Sequence, residues 1–174
     1  MQEIEVKILG IDKEKIIQKI LHSGAEFVGE FNIHDKQFDY SDKRIRNSDE
    51  LLRLRLTNDN ARLTYKEQKR FWNGLRISEE IETDVADYKV VEAILNKLGL
   101  SAYCSRKKIR TSFKKGNVKF EIDEYTSIPP YLEIEGKNKK DILHAVNLLR
   151  YTMDDTTVMT ATEVLRHYGI DPFI

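Results

Sequence analysis

Charged side chains recur at every second position along much of this 174-residue chain. Side chains in a β-strand alternate between two faces. Glu3, Glu5 and Lys7 therefore share one face, opposite Ile4, Val6 and Ile8. The same parity sets Arg53 and Arg55 against Leu52, Leu54 and Leu56. It sets Thr64 and Lys66 against Leu63 and Tyr65, and Glu80 and Glu82 against Ile81. Further on, Arg106, Lys108 and Arg110 oppose Ile109, and Lys119, Glu121 and Asp123 oppose Phe120 and Ile122. Glu133 and Glu135 oppose Leu132 and Ile134. An open sheet with one wet face would also alternate. Its wet face, however, mixes in Thr, Ser and Gln, whereas these positions are dominated by Arg and by closely spaced carboxylates. Like charges on one strand face repel, and Glu-x-Glu occurs at Glu3/Glu5, Glu80/Glu82 and Glu133/Glu135. Such pairs need a neutralising partner.

The remaining pattern supplies the framework. Ile16, Ile17, Ile20 and Leu21 have helical spacing within 13–22, ended by Ser23-Gly24. Val91, Ile94, Leu95 and Leu98 mark a second helix over 88–98, and 139–151 and 161–168 read as two more. Residues 27–40 read as a strand or strand pair. Asn58-Asp59-Asn60, Asn73-Gly74 and Lys115-Gly116-Asn117 are turn signals between strands. About eight strands joined by short turns are antiparallel by connection length. Eight such strands can close into a barrel wide enough inside for side chains or a small ligand. The expected fold is α+β: an eight-stranded antiparallel β-barrel, charged inside, with helices on its apolar outer face. No linker composition divides the chain, so 1–174 is expected to be a single domain.

Lys plus Arg and Asp plus Glu are 29 each. A zero balance argues against a duplex nucleic-acid or membrane binder, which shows a basic excess. Cys104 is the single cysteine and can form no internal disulfide. No stretch has the length of a signal peptide or membrane span, so a cytoplasmic protein is expected. The charged face suits one ligand class. Carboxylates with water are the preferred ligands of Mg²⁺ and Mn²⁺. Arg and Lys hold phosphate oxygens, Arg with a fork of two donors. Both together imply a polyphosphate held with a divalent cation.

Glu3-Ile4-Glu5-Val6-Lys7 resembles the N-terminal signature of the CYTH family, the triphosphate tunnel metalloenzymes. Leu52-Arg53-Leu54-Arg55, Tyr65-Lys66, Glu80-Ile81-Glu82, Lys108-Ile109-Arg110, Glu121-Ile122-Asp123 and Leu132-Glu133-Ile134-Glu135 follow in the family's order. The family includes class IV adenylyl cyclases and thiamine, inorganic and RNA triphosphatases. The resemblance implies a tunnel with Mg²⁺ or Mn²⁺. It implies that Arg53, Arg55, Lys66, Lys108 and Arg110 hold the triphosphate. It further implies that Glu3, Glu5, Glu80, Glu82, Asp123, Glu133 and Glu135 ligate metal or position water. Lys7, with Glu5 and Glu133, is the implied catalytic group, and Lys7 equally fits a structural partner of the glutamates. Two stretches depart from the family pattern: Thr160-Ala161 ahead of the last helix, and Ser127-Ile128-Pro129-Pro130 between Asp123 and Glu133.

Three activities follow from this reading. One is an adenylyl cyclase, in which the ribose 3′-hydroxyl of ATP attacks the α-phosphorus. The second is a triphosphatase acting on tripolyphosphate, thiamine triphosphate or a nucleoside triphosphate. The third is a non-catalytic barrel that binds a polyanion or an RNA 5′ end. A bare binder needs the cations but not the paired glutamates, which favours an enzyme. A homodimer is compatible with the sequence. His22, His34, His144 and His167 show no metal-ligand spacing. Phe71-Trp72 could stack on a base, although a hairpin tip explains the pair equally well.

Overall fold

The computed structural model of the chain describes residues 2–67, 70–72 and 75–173; for 2–3, 70–72 and 75–78 the description is of the backbone. The strands are β1 (Gln2–Ile8), β2 (Glu26–Asp39), β3 (Leu51–Thr57), β4 (Asn60–Lys66), β5 (Arg70–Trp72), β6 (Leu75–Val85), β7 (Ser101–Lys115), β8 (Val118–Glu124) and β9 (Tyr131–Gly136). The helices are α1 (Lys13–His22), α2 (Arg44–Asn47), α3 (Tyr88–Lys97), α4 (Lys139–Leu148) and α5 (Ala161–His167). Strand order is β1-β9-β8-β7-β2-β3-β4-β6-β5, and β1 also pairs with β6. Eight antiparallel strands thus form a closed ring of pairings, with β5 as a short addition to β6. The fold is the expected α+β barrel.

Strand parity explains the layers. The outward apolar residues Ile4, Val6, Phe120, Ile122, Leu132 and Ile134 form a buried cluster with Ile16 and Ile20 of α1 and Ile142, Val146 and Leu149 at α4. On the opposite flank, α3 covers the barrel through Leu95, which packs with Phe38, Leu54 and Leu100. A third cluster seals one end. Tyr125 and Tyr131 continue the inward rows of β8 and β9, and they pack against Val164 and Leu165 of α5. The hydrophobic core therefore lies outside the barrel wall, beneath helices, and leaves the interior to charge.

Several boundaries differ from the sequence reading for local reasons. Residues 26–39 are one long strand. It carries irregularities between Phe27/Gly29 and between Gln37/Phe38. The fourth helix stops at Leu148 rather than near Tyr151, because Arg150 takes the left-handed conformation (φ 62°) common just past helix ends. α2 was not expected from the sequence. Its first turn is held by the Asp39 carboxylate, which accepts from the Ile45 and Arg46 backbone N–H groups at 3.1 Å each. β5 and β6 pair Trp72 with Leu75, while the Asn73-Gly74 turn lies outside the described residues.

Phe120 is wholly buried between the barrel wall and the helices. Phe120→Ala should cost about 3–5 kcal/mol of stability through lost transfer energy and a residual cavity. Urea unfolding with an unchanged m-value checks this.

Candidate active site

The barrel encloses a cavity of about 470 Å³, within the range of small-molecule sites. Each sign is concentrated on particular strands, with Lys7 and Lys119 set among the carboxylates and Asp35, Glu80 and Glu82 among the cations. Carboxylates Glu5, Glu121, Glu133 and Glu135 come from the adjacent strands β1, β8 and β9. Arg106, Lys108 and Arg110 come from β7, Arg53 and Arg55 from β3, and Arg62 and Lys66 from β4. The zero net charge of the sequence thus resolves into a carboxylate-rich wall and a cation-rich wall, each holding counter-charges of the other sign.

Arg110 joins them. Its Nε and Nη2 donate to Asp123 at 2.6 and 2.7 Å, Nη1 donates to Glu121, and Nη2 reaches Glu133 at 3.3 Å. Burial disfavours its charge, but Asp123, Glu121 and Glu133 outweigh this and raise its pKa well above the usual arginine value. Lys7 Nζ sits between Glu5 at 2.9 Å and Glu133 at 2.8 Å. Register makes this inevitable, since Lys7 faces Glu133 across β1 and β9. Burial would raise the Glu133 pKa, yet Lys7 and then Arg110 hold it well below the carboxylate range. Lys119 pairs with Glu135 at 2.7 Å, and Lys66 pairs with Glu80.

The phosphate-holding candidates fall into two groups. Arg55 is clamped bidentately on Asp35 at 2.6 and 2.9 Å. Against burial, Arg55 keeps Asp35 far below the usual range. Lys108 binds Asp123 at 2.6 Å, and burial followed by the neighbouring Arg110 pushes its ammonium down to about 8. Arg53 differs. Among the described residues its buried Nε has no hydrogen-bond partner, and neither has the Nε of Arg106, although Arg53 Nη2 reaches Thr64 Oγ1 at 3.5 Å and Arg106 Nη1 donates to Thr162 Oγ1 at 3.1 Å. Burial and then Arg55 lower the Arg53 pKa. Two buried guanidinium groups with unused donors call for an anion.

The metal candidates are also redistributed. Glu121, Glu133 and Glu135 each bring an oxygen within 4.8 Å of the others. This all-carboxylate set suits a hard divalent cation such as Mg²⁺ or Mn²⁺. Burial raises the Glu121 pKa, and crowding by Glu133, Asp123 and Glu135 adds to the rise against the pull of Arg110. A divalent cation that brings its own anion would relieve that crowding without leaving the site over-charged. Glu5 lies next to this cluster, opposite Glu135. Asp123 is fully buried but engaged by Lys108 and Arg110. Glu80 and Glu82 line the cavity from β6, where they pair with Lys66 and Arg62 of β4, and the Glu3 side chain lies outside the described residues.

Sequence reasoning placed Glu121 on the charged face without assigning it to the metal. It read His34-Asp35-Lys36 as a segment near a strand start, more suited to a loop than to substrate contact, whereas these residues lie within β2 and Asp35 lines the cavity; it left Gln37 and Arg46 unread and gave Arg106 no role. Parity alone could have raised Arg106. The inner face of β2 reads Ile33, Asp35, Gln37, Asp39, which carries no charge pattern to notice.

With this geometry in place, comparison with known proteins is informative. The CYTH domain family matches residues 1–168. A protein of Methanocaldococcus jannaschii, named provisionally as an adenylate cyclase, is 30% identical over 154 residues, 88% of this chain and 87% of the relative. The PH1012 protein of Pyrococcus horikoshii superposes with a TM-score of 0.79 at 28% identity, over 92% of this chain and 98% of its own. A Hippeastrum protein described as showing dominant triphosphatase activity has the same fold, with a TM-score of 0.71 at 14% identity over 97% and 96% of the two chains. The chain belongs to the CYTH domain family, a family of adenylyl cyclase-like and triphosphatase-like enzymes. Among the described residues no helix is long and apolar enough to cross a membrane.

Arg53→Ala removes a buried Nε donor that has no partner among the described residues and one long 3.5 Å contact to Thr64, so tripolyphosphate affinity should fall about 10–100-fold with little loss of stability. Arg55→Ala strands buried Asp35 and should cost about 3–5 kcal/mol of stability as well. Calorimetric titration alongside urea unfolding separates the two. Lys108 is cationic below about pH 8 and neutral above, so anion affinity should decline as pH rises through that value. Lys108→Arg, which stays charged, should flatten the decline.

Proposed function

We propose that the protein is a Mg²⁺- or Mn²⁺-dependent enzyme that cleaves a phosphoanhydride bond of a triphosphate lying between the two walls. The observation that carries this is the pair of buried Nε donors of Arg53 and Arg106, without partners among the described residues, in one cavity with a carboxylate cluster. Arg53 and Arg106 would bind phosphate oxygens directly. Arg55, Lys66, Lys108 and Arg110 would supply positive potential from within their ion pairs. Glu121, Glu133 and Glu135, with Glu5 beside them, would hold the metal. Asp123, Glu80 and Glu82 would shape the field around it. A bound Mg²⁺ or Mn²⁺ would neutralise phosphate charge and hold the reacting groups in line. Lys7, clamped by Glu5 and Glu133, would fix both carboxylates rather than touch substrate.

The reaction favoured is cyclisation of ATP. The ribose 3′-oxygen bonds to the α-phosphorus, the bond from that phosphorus to the bridging oxygen breaks, and pyrophosphate leaves. The hydroxyl proton passes to a tunnel carboxylate. The name of the Methanocaldococcus jannaschii relative supports this reading. The triphosphatase activity described for the Hippeastrum protein supports a second reading, in which water attacks the γ-phosphorus.

Phosphorus NMR of the protein with ATP, tripolyphosphate and thiamine triphosphate, under Mg²⁺ and then Mn²⁺, distinguishes them. Cyclic AMP with pyrophosphate is the cyclase outcome, and orthophosphate with a diphosphate is the hydrolase outcome. Glu133→Gln and Glu5→Gln should each lower turnover by about 100-fold or more. Full turnover in both variants would sink the metal assignment.

A further inference from the structure

One mouth of the cavity has a different chemistry from its walls. The strand irregularity between Gln37 and Phe38 leaves Tyr103 without a partner in the β2–β7 register. Such bulges re-aim a side chain, and here Tyr103 lines the cavity. Its hydroxyl is fixed by Gln37 Oε1 at 3.0 Å. The Arg46 guanidinium lies 3.8 Å from the Tyr103 ring centroid. Arg46 is itself anchored by Asp39, which accepts from its Nε at 2.9 Å. From the segment after α5, Phe173 meets Tyr103 edge-on at 5.7 Å and is backed by Arg166 at 4.7 Å. Phe173 lines the cavity too and keeps 36% of its surface exposed.

Phosphates need none of this. Tyr103 precedes Arg106 by three residues, roughly 10 Å along an extended strand. That is the scale separating a phosphate from a planar group attached at the far end of a sugar. Aromatic faces and guanidinium planes both stack on flat heterocycles. The carboxylates of Asp49 and Glu50 also line the cavity, and Glu50 accepts from the Tyr65 hydroxyl. They repel phosphate but accept hydrogen bonds from hydroxyl and amino groups.

We infer that Tyr103, Phe173 and Arg46 form a stacking subsite for the base of a nucleoside triphosphate, which threads the tunnel with its base at this mouth and its terminal phosphate toward Glu121, Glu133 and Glu135. The inference rests on the triphosphate reading above. It adds which residues recognise the organic end and which way the substrate points. The cluster does more than pin the segment after α5.

The test compares α,β-methylene-ATP with tripolyphosphate by calorimetric titration, each with Mg²⁺. Wild type should prefer the nucleotide, and Phe173→Ala should lower the ratio of the two affinities by about 10–100-fold. Phe173→Trp should restore the ratio. An unchanged ratio in Phe173→Ala overturns the subsite and leaves the cluster as packing. Wild type that binds tripolyphosphate at least as tightly as the nucleotide overturns the subsite while sparing the triphosphate reading. Wild type that binds neither overturns both.

Discussion

The contact on which the interior depends is the guanidinium of Arg110 held among Asp123, Glu121 and Glu133. It ties three consecutive strands of the ring together, β7 to β8 to β9. An isolated charge this deeply buried would be expelled or neutralised. The interior survives because nearly every charge has an opposite partner one strand away. Lys7 with Glu133, Arg110 with Asp123, Asp35 with Arg55 and Lys66 with Glu80 are all direct cross-strand neighbours in the register. A slip of one residue in any of these pairings would turn charges outward and leucines inward. The ionic interior and the apolar exterior therefore specify one register from both sides of the wall.

That arrangement inverts the usual division of labour. Buried ion pairs contribute little net stability, because desolvation cancels most of their attraction. The favourable burial comes instead from the outer clusters, where α1 and α4 cover one flank and α3 the other. The interior is thereby released for binding. Arg53 and Arg106 retain unused donors at sites that a protein built for stability alone would have paired.

Much of this was legible in the sequence. Parity alone separates Glu133 and Glu135 from Leu132 and Ile134, and it predicts which row faces the cavity. What parity cannot reveal is which opposite charges become neighbours, since that depends on strand order. The sequence reading treated Arg110 and Lys108 as phosphate ligands, whereas strand order also binds both to Asp123. It could not foresee Tyr103 at the mouth, because its aim depends on a bulge. Nor could it foresee Arg46, because α2 forms around the Asp39 carboxylate rather than on a periodic apolar pattern. The His34 ring lies on the outer face, stacked 6.3 Å from Tyr88.

Charge balance connects binding of the metal to binding of the substrate. Glu121, Glu133 and Glu135 already have Arg110, Lys7 and Lys119 as partners. A divalent cation entering this cluster alone would add positive charge to a site near balance, beside the buried cations of β3 and β7. The cost of that excess in a low-dielectric enclosure is high. A polyanion alone would meet Glu5 and Glu133 across the cavity and be repelled. Entering together, cation and polyphosphate offset one another, and Arg53 and Arg106 gain acceptors for their idle donors. On the proposed reading the charged walls would select a metal–polyphosphate pair over either component, a preference set by the pairing of the strands before any catalytic group acts.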